Sequence, residues 1–529
     1  MLAALAASLA LRPPAPQSVN APAQAFSALR AFPDIQKVAQ RPHPIRSPDQ
    51  ARVRDYLFTR MADLGLAPLL RPVDSKDGAL FNLLGVLPGK DRAAPAVLLM
   101  AHFDSVPTGP GAADDASGIA SILETVRALK ASGPHQRDVM VLLTDGEEPG
   151  LYGAKAFFSS DPTRAHVGAV INLEARGNRG RAVMFETHRQ GGAMIGFLLK
   201  AHALQGASSL MPDLYRRLPN DTDLTEALKR GYAGINIAFF DGFGAYHRPT
   251  DTPQNLSPAS VQSMGGQVLA MAAALAGAPA LPGRAPDTVY ADLMGGPILA
   301  YPPVGGWLLL AVAILVIGAA GWRALRTGQT SIGGVAAAFA LVLLLIAVQA
   351  ALLVGDGRLR IVTDGQRLAP LLRHSAQALA GAGMLAGGVT LIWLWLAHKR
   401  LHPASLCLGA LKVLALAAIA LQLTAPVDAF MLCWPLLLAA LAAAVAIWKP
   451  QTPWIAAPIA LAGLAQLFYW TGLIYSLVGQ ETPALLAPFA TVAAVLLLPI
   501  TPRTGPKCAL IGALVAAAGL GLSLLALRP

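Results

Sequence analysis

Cysteine is scarce in this 529-residue chain: there are three, Cys407, Cys433 and Cys508, each inside an apolar run beyond residue 303. A disulfide framework, and a cysteine metal site in the first 303 residues, are thereby excluded. Charge is scarce too, at 13% of residues, and acids nearly vanish from the C-terminal part, where only Asp356, Asp364, Asp428 and Glu481 remain of 30. Against those four stand 13 Lys and Arg, so nine of the net +11 charges sit there. That surplus lies among apolar segments and forms no basic, aromatic-bearing soluble face, which argues against a nucleic-acid partner and fits Lys and Arg flanking membrane spans. With 54% hydrophobic residues and a mean hydropathy of +0.52, part of the chain belongs in a lipid bilayer.

From Val304 onward, apolar stretches of about 18 to 25 residues recur, each enough to cross roughly 30 Å of hydrocarbon as a helix. Eight are expected, near 304–322, 331–354, 375–397, 405–424, 427–448, 454–475, 483–500 and 508–527. Alternate connections differ in charge. One set holds Arg323 and Arg326, Lys399 and Arg400, Lys449, then Arg503 and Lys507, without an acid. The other holds a long loop with Asp356, Arg358, Arg360, Asp364, Arg367 and Arg373, then Asp428, then Glu481. Short basic loops belong in the cytoplasm, and an even number of spans then puts residues 1–303 and the C-terminus on the other side. Lys412 is the one clear charge within a span, with Gln349, Gln422 and Gln466 scattered elsewhere. A transport pathway would want several such groups facing one another, whereas a lone lysine about two turns from a helix end snorkels. Residues 1–24 open with an apolar run, Met1 to Ala10, followed by Arg12-Pro13-Pro14, and read as a signal peptide or the stub of an anchor helix. The abundance of Ala, Gly and Arg suggests a bacterial inner membrane with the N-terminal domain in the periplasm.

Residues 25–285 alternate short apolar runs with helical patterns, the signature of an α/β sheet covered by helices. Strands are expected at Leu80 to Val86, Ala96 to Ala101, Val139 to Thr144, Val167 to Leu173 and Gly234 to Phe240. Helices are expected at Val53 to Leu64 and Gly118 to Lys130, each with one apolar face. Acids and histidines cluster where the strands end: His102-Phe103-Asp104 with Asp114-Asp115 beyond, Asp145-Gly146-Glu147-Glu148, Glu174, and Tyr246-His247. Open α/β sheets place their sites at that edge. Histidine nitrogen and carboxylate oxygen suit zinc, and two ions a few Å apart can share one bridging carboxylate. Singly, each element has a plain structural role: a loop histidine with a hydrogen-bond partner, or a solvated helix start at Glu147-Glu148 where acids favour the dipole. The argument rests on all of them standing at strand ends of one domain.

The runs AHFDSVPTGPGAADDASGIA, DGEEPGLYGA, INLEARG and YHRPTDTPQNL resemble the clan MH zinc peptidases with two co-catalytic metals, the family of secreted aminopeptidases and glutamate carboxypeptidases. RPHPIRSPDQARVRDYLFTRMADLGL resembles the helix that opens that domain. One such domain followed by many spans resembles the vacuolar-membrane proteases and endoplasmic reticulum membrane metallopeptidases, and TVYADLMG within 286–303 looks like their membrane-proximal junction. The resemblance implies a mixed-sheet α/β/α zinc exopeptidase domain at 25–285 and an all-α multi-spanning domain at 304–529. It further implies that His102 and Glu174 bind one zinc, Glu148 and His247 another, and that Asp114 bridges both. Glu147 matches the general base, Asp104 the acid that orients His102, and Tyr246 a donor to the developing oxyanion; Asp115, after a cis bond, is structural. Glu174 stands where soluble aminopeptidases of the family have Asp, as in the carboxypeptidase and membrane-protease branches. Pro219-Asn220-Asp221-Thr222-Asp223 resembles a loop near the substrate and equally an Asx-rich turn.

The expected partners are peptide substrates and the bilayer, and the expected activity is peptide hydrolysis at a chain end, with an aminopeptidase favoured. A carboxypeptidase or dipeptidase, a one-zinc glutaminyl-cyclase-like acyl transfer, and a transport or scaffold module with a retired peptidase domain are the alternatives.

Overall fold

A computed structural model of the chain describes residues 2–75, 78–361, 375–479, 486–501 and 505–525. They form two compact units, Arg12–Ala300 and a helical unit of Met1–Leu11 with Tyr301–Pro529.

The first unit is built on a seven-stranded sheet of β1 (Leu69–Val73), β2 (Leu80–Leu87), β3 (Ala96–His102), β4 (Val139–Thr144), β5 (Val167–Ala175), β6 (Val183–Thr187) and β7 (Ala233–Phe239), in the order β1-β2-β4-β3-β5-β7-β6. The four central strands, β4-β3-β5-β7, are parallel, and β1, β2 and β6 run antiparallel at the edges. Every residue of β3 and β4 is buried, as expected of parallel strands covered on both faces. Their side chains alternate between two cores: Val97, Leu99, Ala101, Val139, Val141 and Leu143 face one, and Leu98, Met100, Met140 and Leu142 the other. The first core is closed by helices at Ala28–Val38, Pro48–Asp63, Ala116–Ala131 and Pro258–Gly277, the second by helices at Tyr152–Ser160 and Asp223–Lys229. The fold is therefore the expected mixed-sheet α/β/α domain.

The strands expected from apolar runs are present, and β5 extends two residues further, so Glu174 lies within it. The edge strands β1 and β6 were not expected. β1 contains Arg71 and Pro72 and is mostly exposed, and proline is tolerated only at such an edge. The unit also reaches beyond 25–285 at both ends. Gln17 donates its backbone N–H to Gln262 (2.8 Å), and Asp292 donates its own to Ala207 (3.2 Å), so residues 12–24 and 286–300 belong with the sheet domain, while Met1–Leu11 belong with the helical unit.

In the helical unit, seven helices among the described residues are long and apolar enough to cross a membrane: Gly305–Arg326, Ile332–Asp356, Gln377–His398, Pro403–Thr424, Phe430–Trp448, Pro453–Leu477 and Pro506–Leu525. The eighth expected span is the shorter apolar helix Leu486–Ile500. The helix beginning at Ile332 continues to Ile361, so Asp356, Arg358 and Arg360 stand on a helix and not in a loop. Asp364, Arg367, Arg373, Glu481 and Arg503 lie outside the described residues. Lys412 is on the exposed side of its helix, as a snorkelling lysine should be. Gln349 is not isolated: its amide donates to Thr390 Oγ1 (2.9 Å) and its carbonyl accepts from Thr491 Oγ1 (2.9 Å), joining three helices.

Candidate metal centre

Parallel strands β3, β4 and β5 end at one edge, and β3 delivers His102 there as its last residue. His102 is buried, and its Nδ1 lies 3.0 Å from the Asp104 carbonyl oxygen and 3.6 Å from Asp104 Oδ1. That contact leaves Nε2 directed at Asp114 Oδ1 (3.1 Å) and Glu174 Oε2 (3.9 Å). On the other side, His247 Nε2 lies 3.2 Å from Asp114 Oδ2 and 3.1 Å from Glu148 Oε2. The two oxygens of Asp114 thus face two different histidines. The donor atoms fall into two sets, His102, Asp114 and Glu174, and Asp114, Glu148 and His247, with the atoms of each within 4.8 Å of one another. All five expected ligands are brought together, and Asp114 is common to both sets.

The contacts do not close on themselves. Glu148 Oε1 is buried without a hydrogen-bond partner, an acceptor left open beside His247 and Asp114. Nitrogen and carboxylate oxygen in this arrangement fit zinc.

Electrostatics point the same way. Burial, then the charges of Glu147 and other acids, pushes Glu174 well above the usual carboxylate range. Burial likewise pushes up Glu147, with Asp223, Glu148 and Asp104 adding to it, and Glu148, with Asp114 adding to it. Asp114 behaves oppositely: burial raises it, but its bonds to His102 and His247 prevail and hold it at about 2. These carboxylates ionise together only beside positive charge, which His102 and His247, both raised against burial by the neighbouring acids, or a bound cation can supply.

The surrounding residues hold the donors in place. The Asp104 carboxylate accepts the backbone N–H groups of Glu147 (3.0 Å) and Glu148 (3.2 Å), so one buried acid positions both glutamates as well as His102. Asp115 caps the helix Ala116–Ala131 by accepting from Gly118 N (3.0 Å), and the Asp114–Asp115 bond is cis, as the resemblance implied. Tyr246 stacks on the His247 ring with centroids 3.8 Å apart, and burial followed by the nearby acids raises its phenol, leaving it a neutral donor.

Sequence reasoning missed two supports, Asp251 and Asn172, and had Asp223 only within a segment read as a substrate loop or an Asx-rich turn. Asp251 accepts from Ala113 N (2.8 Å) and Asp114 N (3.3 Å), bracing the bridging carboxylate; it sits inside the run YHRPTDTPQNL, where nothing local sets it apart. Asn172 donates to Glu174 Oε1 and to Asn236 Oδ1 (3.2 Å each), and Asn236 in turn donates to Glu186 Oε2 (3.2 Å) and Thr222 Oγ1 (2.8 Å). Asp223 accepts from the Thr144 hydroxyl beneath the site. The 219–223 segment is therefore both a helix cap, through Thr222 and Thr225, and a support of this network.

Residues 82–272 match Peptidase family M28. A vacuolar membrane protease of Schizosaccharomyces pombe is 30% identical over 256 residues, covering 44% of this chain and 30% of that protein. Endoplasmic reticulum metallopeptidase 1 of Mus musculus is 32% identical over 244 residues, covering 45% and 27%. The match thus spans less than a third of either relative's length. An aminopeptidase from Aneurinibacillus sp. strain AM-1 superposes on 50% of this chain and 96% of its own at 15% identity and a TM-score of 0.39. With its apolar helices, the chain is a multipass membrane protein. The relatives are named for the vacuolar membrane and the endoplasmic reticulum, and nothing in them supports the bacterial inner membrane expected from composition.

Proposed function

We propose, from a first unit that carries a Peptidase family M28 domain, that this protein is a membrane-anchored zinc exopeptidase with two zinc ions. The observation that carries the reading is Asp114, whose two carboxylate oxygens each face a different histidine and so join two donor sets. Zinc held there supplies the Lewis acidity that activates water and polarises a peptide carbonyl. Glu148 is engaged by His247, while the adjacent Glu147 belongs to neither donor set and is free to shuttle a proton. Its raised pKa suits a general base that takes a proton from water and returns it to the leaving amine. Tyr246, held neutral beside His247, donates to the carbonyl oxygen as negative charge develops.

Loop charge supports a topology with the domain on the side of the membrane opposite the basic loops. Leu486–Ile500 rises only about 22 Å at 1.5 Å per residue. Counting it as a span keeps Lys507 on the side of Arg326, Lys399 and Lys449, which favours a crossing.

The test is degradation of a mixed peptide pool by the zinc-loaded protein, read by mass spectrometry, with Glu147→Gln as control. Progressive shortening from one end by the wild type alone, with about two zinc ions per chain, is the expected result. Well under one zinc per chain with no cleavage would remove the reading. Trimming from the N-terminus is the aminopeptidase expected from sequence; the carboxypeptidase or dipeptidase alternative gains support from Arg176.

A further inference from the structure

Arg176 follows the metal-site residue Glu174 by two positions, just beyond the end of β5. Its backbone N–H is tied to the Phe239 carbonyl (3.1 Å). Its guanidinium carbon lies 5.0 Å from the centre of the Phe243 ring and 5.9 Å from that of Tyr246, which stacks on His247. The side chain is partly buried. Several other arginines of this unit have carboxylate partners: Arg30 pairs with Glu124, Arg60 with Asp34 and Arg71 with Asp161. Arg176 has neither a carboxylate nor a carbonyl bound to its guanidinium among the described residues, although the centre beside it is crowded with acids. A planar cation held against two rings keeps its fork of N–H donors available for a ligand of opposite charge.

The spacing fits a substrate group. The legs of 5.9 Å to Tyr246 and 3.8 Å from Tyr246 to His247 put the guanidinium within about 10 Å of the imidazole. A peptide advances roughly 4 Å per residue, so a carboxylate one or two residues from the scissile bond reaches it.

We infer that Arg176 determines specificity by binding a substrate carboxylate, so that the centre prefers short peptides carrying that group within one or two residues of the cleaved bond. This rests on the peptidase reading above. Two sources offer the same chemistry, a free C-terminus and an acidic side chain. A guanidinium that only buttressed the Phe243–Tyr246 wall would instead affect all substrates alike.

The experiment compares alanyl-alanine, its C-terminal amide, and alanyl-glutamate amide on the full-length zinc-loaded protein. The wild type is expected to show kcat/KM about 10- to 100-fold higher for one or both carboxylate-bearing peptides than for the neutral amide, the range of one charge-assisted bidentate contact. Preference for alanyl-alanine identifies the C-terminus, and preference for alanyl-glutamate amide the side chain. Arg176→Met should erase the preference mainly through KM, and Arg176→Lys should restore part of it. Equal use of all three peptides by the wild type, or an equal loss on all three in Arg176→Met, overturns the inference. Binding separates its failure from that of the peptidase reading. If no peptide is cleaved, thermal stabilisation of the metal-free protein by N-acetylalanine but not by its amide, lost in Arg176→Met, would sustain carboxylate recognition alone. Its absence would overturn the inference, while zinc content and the mixed-peptide assay decide the peptidase reading.

Discussion

Asp104→Asn tests the claim that one acid organises both sides of the metal centre. The carboxylate is fully buried and accepts two backbone N–H groups, from Glu147 and Glu148, while lying beside His102 Nδ1. Asparagine keeps the shape but replaces one acceptor oxygen with an NH2 donor, so at least one of those contacts becomes donor against donor. Losing one hydrogen bond to a charged acceptor costs about 1.5–3 kcal/mol, or roughly 10- to 100-fold in an equilibrium constant. Residues that orient metal-binding histidines show a similar range in metal affinity. Zinc affinity, measured by competition with a chromophoric chelator, should therefore fall about 10- to 100-fold. A second loss should remain even at saturating zinc, because the same acid fixes the backbone carrying Glu147: kcat should stay at least about tenfold below wild type. An Asp104→Asn protein that regained full activity once zinc was saturating would show that Asp104 serves His102 alone. Wild-type affinity and rate together would refute its organising role outright.

Asp251→Asn should lower zinc affinity about tenfold by the same chelator competition, because the N–H groups of Ala113 and Asp114 lose a charged acceptor and the bridging carboxylate its brace. Glu186 gives a pH-dependent prediction: burial, opposed by its bond from Asn236, raises its pKa to about 7 from 4.5. The folded protein then binds a proton that the unfolded chain releases, so the stability cost appears as pH rises from about 4.5 to 7 and is complete above that. Glu186→Gln should accordingly be stabilising above pH 7, by at most about 3 kcal/mol, with the gain disappearing below pH 4.5; unfolding midpoints of the metal-free protein at pH 5 and 8 check this, and an equal shift at both would contradict it. In the helical unit, Gln349→Leu should cost about 1–2 kcal/mol of stability in detergent by removing the bonds to Thr390 and Thr491, with peptidase activity retained.

The fold was legible where burial is complete on both faces. The runs Ala96–His102 and Val139–Thr144 are uniformly apolar or small because each strand sits between two cores, and short runs of that composition, bounded by polar loops, seldom fold as anything but central strands. β1 and β6 were illegible for the converse reason. β1 needs only one partner and tolerates Arg71 and Pro72, and β6 is a five-residue strand that turns Glu186 inward to a polar network no local pattern announces. The expected eighth span met a different limit: composition measures apolarity well, but the helix at Leu486–Ile500 is short for a bilayer, and length decided by tertiary packing is not written in hydropathy.

The centre divides along the same physical line. The grouping of its donor residues was readable because a parallel sheet brings strand ends to one edge, so residues at the ends of β3, β4 and β5 become neighbours by topology alone. Their supports are chosen by three-dimensional proximity. Asp251 braces Asp114 from 137 residues away, and Asn236 reaches Asn172 across 64. An aspartate in a loop, met in sequence, has no property that marks it as the acceptor of two distant N–H groups. The consequence is functional as well. A chain that kept His102, Asp114, Glu148, Glu174 and His247 but lost Asp104 or Asp251 would read as an intact centre while holding its metals loosely, so preserved ligands establish the capacity to bind zinc, and only preserved supports establish the geometry for catalysis.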